Sequence, residues 1–323
     1  MPLEDRFRRR IDYLRISVTD RCNLRCIYCM PHERRPFEFK EILSYEEIIT
    51  IVQVAAELGI RRVRLTGGEP LMRRNILYLI RKIAEIHGIE DLSLTTNGVL
   101  LEEMAEQLRK AGLSRVNVSL DSLDPDKYSD ITRGGDIQRV LRGIKKAQAV
   151  GLTPVKLNVV VVRGINDDEV LDFAKLTLRD DLHVRFIEFM PGRHNEWQRD
   201  RVVTIKEIKE KIETHFPLEP AIVETSGPAK HWRIKDAKGL IGFISPLSEH
   251  FCNECNRLRI TSDGKLRPCL FSHDEIDLKE ALKNGASRQD LKDIFLKALL
   301  IKPEGHYVLE EGQISRPMSE IGG

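Results

Sequence analysis

Six cysteines fall into two triplets, Cys22, Cys26 and Cys29 in "DRCNLRCIYCM" and Cys252, Cys255 and Cys269 in "FCNECNRLRITSDGKLRPC". The first is spaced C-x3-C-x2-C, on one short loop. Three thiolates so placed can hold three irons of a cubane iron–sulfur cluster and leave the fourth iron open to an exogenous ligand. A structural zinc site closes with a fourth Cys or His, and the nearest one beside this triplet is His32. The second triplet, C-x2-C-x13-C, also fits half a zinc ribbon, with His250 or His273 to complete it, so spacing alone leaves zinc open there. Arg257 and Arg259 alternate just after Cys255, and on a strand both face one side. Guanidinium forks beside a metal suit a carboxylate or a phosphate.

Further groups become a site only if the fold gathers them. In "GGEP", Gly67 to Pro70, two glycines permit a close backbone approach and Glu69 suits an ammonium partner. Arg15, Arg64, Lys156 and Arg185 lie on four separate β-branched or apolar runs, and Thr95 ends "SLT". No G-x4-G-K-[ST] loop occurs, so a triphosphate would need such dispersed cations converging.

The runs that must position them are "DYLRISV", "RVRLT", "DLSLTT", "RVNVSL", "VKLNVVVV" and "HVRFIEF". Helical periodicity falls between them at about 44–58, 74–87, 100–111, 136–150 and 167–178, and "SYEE" from Ser44 resembles a capping box. Six strands alternating with helices imply βαβ units in a parallel sheet or barrel, with chemistry at the carboxyl ends of the strands. After Pro191 the rhythm changes. A helix near 204–215 precedes short strands at "AIVET", "KHWRIK", "GLIGFIS" and "RLRITSDGKLRPCL", with "SDG" as a hairpin turn, then two helical segments and a Gly-Gly end.

Composition narrows the class. With 323 residues and 41% apolar content the chain can bury a real core. A net charge of +2, with 32% charged residues of both signs interspersed, gives no electrostatic case for nucleic acid. No run approaches the roughly 18 apolar residues of a membrane span, and residues 1–10 read as a solvated lead-in, not a secretory signal. Six cysteines are too few for a disulfide scaffold, so reduced thiols and a cytoplasmic protein are expected.

The first triplet, with the aromatic Tyr28 before its last cysteine and with "GGEP" after the second strand, resembles the radical S-adenosylmethionine superfamily. Within it, nearly the whole chain resembles the MoaA family of GTP 3′,8-cyclases, which open molybdenum-cofactor biosynthesis. The segments that carry this are "LRISVTDRCNLRCIYCMP", "RLTGGEPLMR", "LTTNG", "RVNVSLDSLD", "RFIEFMP", "FCNECNRLRIT", "GKLRPCL" and "MSEIGG"; the second triplet with "NRLR" and the Gly-Gly end are the narrower signals.

The resemblance implies an α/β fold: a partial (βα)6 TIM-type barrel over 1–218, its mouth closed by short strands and helices over 219–323. It implies two 4Fe–4S clusters, one on each triplet, and S-adenosylmethionine bound by Tyr28, Gly68, Glu69, Ser119 and Met190. GTP binding falls to Arg15, Arg64, Thr95, Lys156, Arg257, Leu258 and Arg259, with Arg185 at a further basic position. Leu258 lacks a polar side chain, so only its backbone or packing could serve. Arg257 and Arg259, with Gly322 and Gly323 of a tail reaching into the site, are the implied catalytic set. The implied reaction uses a 5′-deoxyadenosyl radical to take the C3′ hydrogen of GTP, after which C3′ bonds to C8 of guanine. A one-electron reductant such as a flavodoxin or ferredoxin system, a downstream cyclic pyranopterin monophosphate synthase and a homodimer are also implied. Residues 31–40 are basic and depart from the family's usual glycine-containing loop. Two other readings stay open: a two-cluster radical enzyme modifying a peptide, and a zinc-stabilised interaction protein.

Overall fold

The computed structural model describes residues 3–30, 36–192, 195, 197–223, 227–306, 314 and 316–322. The six expected strands form β1 (Tyr13–Ser17), β2 (Arg62–Thr66), β3 (Asp91–Thr96), β4 (Arg115–Ser119), β5 (Val155–Val161) and β6 (Leu182–Glu188). Each is hydrogen-bonded in parallel to the next. The intervening helices are α1 (Tyr45–Glu57), α2 (Ile76–Ala84), α3 (Leu101–Lys110), α4 (Pro125–Thr132), α5 (Ile137–Ala149) and α6 (Val170–Arg179). Short helix α4 lies outside the expected set. Pro125 at its start and Asp124 capping the backbone N–H of Lys127 are the local signals for it.

The layers follow from side-chain alternation. On β1, Leu14 and Ile16 are fully buried and join the apolar faces of α1 and α2, among them Ile48, Ile51 and Leu79, in one core. Arg15, between them, points the other way, into an interior cavity. Ser44 caps α1 as expected: its hydroxyl accepts from the Glu47 N–H while the Glu47 carboxylate accepts from the Ser44 N–H.

The later elements are α7 (Ile205–Glu213), β7 (Leu218–Pro220), β8 (Lys230–Ile234), β9 (Leu240–Ile244), β10 (Arg257–Ile260), β11 (Lys265–Arg267), β12 (Ile276–Asp277), α8 (Leu278–Lys283), α9 (Arg288–Leu300) and α10 (Met318–Ile321). They extend the barrel sheet. β9 pairs in parallel with β6, and β10 in parallel with β1, so both open edges gain a strand. Antiparallel ribbons continue outward, giving the order β12-β11-β10-β1-β2-β3-β4-β5-β6-β9-β8-β7. The fold is an α/β partial barrel whose C-terminal region extends both edges of its sheet.

One expected strand moves: "AIVET" is not a strand over 221–223, and the ribbon uses Leu218–Pro220 instead, paired with β8. The "SDG" turn forms as expected, with Gly264 at φ +85°. Glu188, fully buried at the end of β6, accepts from the backbone N–H groups of Ile205, Leu247 and Ser248 at 2.9–3.0 Å. It thereby pins α7 and the loop after β9 to the barrel rim. Among the described residues no helix is long and apolar enough to cross a membrane.

Candidate active site

Two cavities meet in the barrel. The first, about 1090 Å³ to its open mouth, is lined by Cys22, Cys26, Cys29, Tyr28, Gly68, Thr95, Ser119 and Met190, drawn from the loop after β1 and the ends of β2 to β6. The second, about 950 Å³, is lined by Cys252, Cys255, Cys269, Arg15, Arg64, Arg185, Arg257 and Arg259. Asn158, Ile187, Met190 and Met318 line both, so the cavities share a wall.

In the first cavity the loop after β1 folds back on Thr132 and Ile131 of α4, whose carbonyls accept from Arg25 N–H and Ile27 N–H. Gly67 and Gly68 serve this loop. A Cβ on Gly67 would lie 2.3 Å from the Thr19 carbonyl oxygen, and one on Gly68 2.2 Å from that of Arg21. Gly67 also sits at φ +145°. The close backbone approach expected at these glycines is therefore an approach to the cysteine loop. Glu69 is fully buried and does not line the cavity; its carboxylate accepts from Leu71 N–H, Thr96 hydroxyl and Asn97 N–H at 2.7–3.0 Å. Burial pushes this carboxyl up to about 7, against the pull of those three donors.

Tyr28 donates to Asp121 at 2.5 Å, and Asp121 also accepts from Val160 N–H. Asp121 therefore fixes the ring beside Cys29 from the end of β4. Neither it nor Asn97, whose amide is 3.7 Å from the Cys22 sulfur, was singled out in the sequence. Both follow directly on strands, in "SLD" and "TTN", which is the only sequence signal they carry.

The second cavity has no carboxylate among its described lining residues. Arg259 is buried and donates to the Gly322 carbonyl oxygen at 2.6 Å. Arg257 lies 5.0 Å over the Phe251 ring and 3.8 Å from the Cys255 sulfur. Leu258, between them, is fully buried in the apolar core, which leaves only its backbone for a ligand. Lys156 is fully buried on β5, next to this cluster, and its Nζ has no partner among the described residues; nor have Arg185 Nε and Thr95 Oγ1. Burial, then the charges of Arg185, Arg115 and Arg64, hold the Lys156 ammonium down to about 6. A cation-walled interior with unmatched donors fits a polyanion.

Lys302 was not legible beforehand. From the end of α9 it is buried against the second triplet, donating to the carbonyls of Pro268 and Arg257 and lying 3.6 Å from the Cys255 sulfur. Burial alone would raise the Cys255 thiol, but Arg257 and Lys302 outweigh it and bring it down to about 6. That is the environment of a thiolate ligand.

His250 lies beside Cys252, within 4.8 Å, but together with His306 and without His273. The described tail reaches the end of β2: Ser262 N–H donates to the Glu320 carbonyl, and Gly322 has φ +70° and would place a Cβ 2.1 Å from Thr66 Oγ1. Gly323, His32 and the rest of 31–35 lie outside the described residues.

Residues 16–177 match the radical SAM superfamily, and 182–308 match the family described as Molybdenum Cofactor Synthesis C. Across its length the chain is 51% identical to the GTP 3′,8-cyclase of Thermodesulfovibrio yellowstonii, covering 99% of this chain and 100% of that one. The chain belongs to the GTP 3′,8-cyclase family. Other members include those of Moorella thermoacetica, 51% identical with the same coverage, and Desulforamulus reducens, 53% identical over 99% of both chains. Among solved structures, Streptococcus suis SuiB bound to S-adenosylmethionine superposes with a TM-score of 0.65 at 16% identity, covering 93% of this chain and 73% of that one. At that identity the likeness concerns the fold alone. Family membership therefore separates this chain from the peptide-modifying and zinc-protein readings, which the partial barrel by itself does not.

Proposed function

We infer that the chain converts GTP to (8S)-3′,8-cyclo-7,8-dihydroguanosine 5′-triphosphate, the first step of molybdenum-cofactor biosynthesis, with two 4Fe–4S clusters and S-adenosylmethionine. The observation that carries this is the pair of adjoining cavities, one walled by Cys22, Cys26 and Cys29 and the other by Cys252, Cys255, Cys269 and five arginines.

When bound, the reduced N-terminal cluster and S-adenosylmethionine would supply a 5′-deoxyadenosyl radical to take the C3′ hydrogen of GTP, and after C3′ bonds to C8 one further electron, drawn from the reductant, and a proton would complete the 7,8-dihydro product. The protein's part is to hold both ligands across the shared wall. Tyr28, fixed by Asp121, with Gly68, Ser119 and Met190, shapes the cofactor cavity. Glu69 orders the β2–β3 end of that cavity from behind its wall. Arg15, Arg64 and Arg185 of the second cavity, with the buried Lys156, neutralise the triphosphate, and Thr95 adds a hydroxyl donor from the wall of the first cavity. Arg257, the Leu258 backbone and Arg259 line the cavity walled by the second triplet and would hold the guanine end of GTP beside a cluster bound there. Gly322, held by Arg259, brings backbone without a side chain toward the junction of the two ligands, keeping water from the radical.

A flavodoxin or ferredoxin system as electron source, a cyclic pyranopterin monophosphate synthase as consumer of the product, a homodimer and a cytoplasmic location complete the reading; the charge balance and the reduced cysteines accord with it. The test is anaerobic incubation with S-adenosylmethionine, reductant and each nucleoside triphosphate, followed by mass analysis. Cyclised nucleotide from GTP alone is expected, and cofactor cleavage without any cyclised nucleotide would overturn the reading.

A further inference from the structure

His183 on β6 and His231 on β8 belong to neither cysteine triplet nor the basic set. Their rings stand edge-on, 6.2 Å apart at 65°, and both residues are 8% exposed. The sheet sets them against the cationic interior. Lys156 is the β5 partner of His183, while Gly242 of β9 lies between Arg185 and His231. Gly242 makes that approach possible, since a Cβ there would meet Arg185 Cγ at 3.0 Å, Ala229 Cβ at 3.3 Å and His231 Cδ2 at 3.7 Å.

A histidine pair placed for packing satisfies its ring nitrogens. Here His183 Nδ1 and His231 Nε2 are buried with no partner among the described residues, as are Lys156 Nζ and Arg185 Nε around them. The charged groups facing His183 are Lys156 from β5, Arg185 from its own strand, and His231 and Arg233 from β8; β9 offers only Leu240 and Gly242. Those facing His231 are Arg185 and Lys156. None is an acid. Burial first, then these cations, push His183 down to about 3 and His231 down to about 4. Four unmatched polar groups therefore meet at one place, two residues deeper on β6 than the cavity wall at Ile187 and Arg185.

We propose that His183 and His231 form the deep end of the triphosphate pocket and donate to the terminal phosphate of the nucleotide. This rests on the nucleotide reading above. A phosphate dianion beside the two rings, on the side of Lys156 and Arg185, reverses the field that keeps them neutral, so each imidazole can bind a proton as the ligand enters and donate from the orphaned nitrogen. Affinity due to the pair is then greatest at low pH and fades as pH rises through the pKa of the bound state.

The experiment is anaerobic calorimetry on the holoenzyme with GTP, GDP and GMP near pH 6.5, in buffers of differing ionisation heat. His183→Gln with His231→Gln is expected to weaken GTP binding about tenfold, the scale of one charge-assisted hydrogen bond, and GMP binding less than twofold. The protons taken up with GTP should fall relative to wild type; the contributions of Lys156 and of the nucleotide are common to both proteins and cancel. An unchanged GTP-to-GMP ratio and proton count would overturn the proposal. If the double variant does not fold, the wild type still decides, because equal proton uptake with GTP and GMP also overturns it. No GTP binding by the wild type would sink the nucleotide reading itself, and the inference with it.

Discussion

Lys156→Met separates the two things a buried cation does, destabilise the empty protein and hold the substrate. The ammonium, ordinarily at 10.5, is held down to about 6, chiefly by burial and then by Arg185, Arg115 and Arg64. Between those values the unfolded chain binds a proton that the native protein does not, so the stability of the substrate-free enzyme climbs with pH from about 6 to about 10.5. At pH 7, about 3.5 below the unfolded value, keeping Lys156 neutral costs up to about 5 kcal/mol at about 1.36 kcal/mol per pH unit. Local relaxation and water reduce this, and replacing buried ionic groups by apolar ones typically gains about 1–4 kcal/mol.

Methionine has matching length and no charge, so the variant should melt a few degrees higher than wild type at pH 7 without substrate, with the gap closing toward pH 10. GTP should raise the melting temperature of the wild type more than that of the variant at the same concentration. The assay is thermal unfolding of the anaerobic holoenzyme at one scan rate, at pH 7 and pH 9.5, with and without GTP. A variant less stable than wild type at pH 7, or a gap indifferent to pH, would refute the buried-cation argument. An equal rise with GTP in both proteins would refute the role in binding.

Three more substitutions follow from the same geometry. Gly322→Ala places a Cβ 2.1 Å from Thr66 Oγ1 at φ +70°, a conformation costing about 1–2 kcal/mol for an L-residue before the clash is counted. The tail should leave its contact with Arg259, and cyclisation should fall at least about tenfold with cluster content unchanged; wild-type turnover would contradict this. Arg257→Ala should weaken GTP binding by roughly 10- to 100-fold, as for a lost charge-assisted hydrogen bond, while cofactor cleavage persists; unchanged affinity by calorimetry would tell against the basic strand. Lys302→Met removes a buried positive charge 3.6 Å from the Cys255 sulfur. The midpoint potential of the second cluster should fall by about 40 mV for each kcal/mol of lost preference for the reduced form, read in an EPR-monitored redox titration, and an unmoved potential would show that the ammonium does not act on the cluster.

The parts of this site that could be read in advance are those whose partners are close in sequence or that sit on strongly patterned runs. Three cysteines within eight positions announce a metal loop wherever it is placed, and β-branched runs alternating with capped helices announce βαβ units in a parallel sheet or barrel. Arg257 and Arg259 were assigned to one face by strand alternation alone, and both line the cavity. Lys302, Asp121 and the histidine pair were not legible, for a common reason. Lys302 lies 47 positions from Cys255, and Asp121 lies 93 from Tyr28. Such a lysine after a helix, or aspartate after a strand, is ordinarily a surface charge, and only tertiary packing takes it out of water. The open edges of the barrel were hidden in the same way. β9 reads as one strand of a local meander, yet it pairs with β6 across more than fifty residues, and β10 joins β1 across more than two hundred. Those two pairings bring the second triplet, Arg257 and Arg259 to the same interior as Arg15, Arg64 and Arg185. The convergence of charge that makes the pocket an anion site is thus a property of the sheet order, which no local pattern encodes.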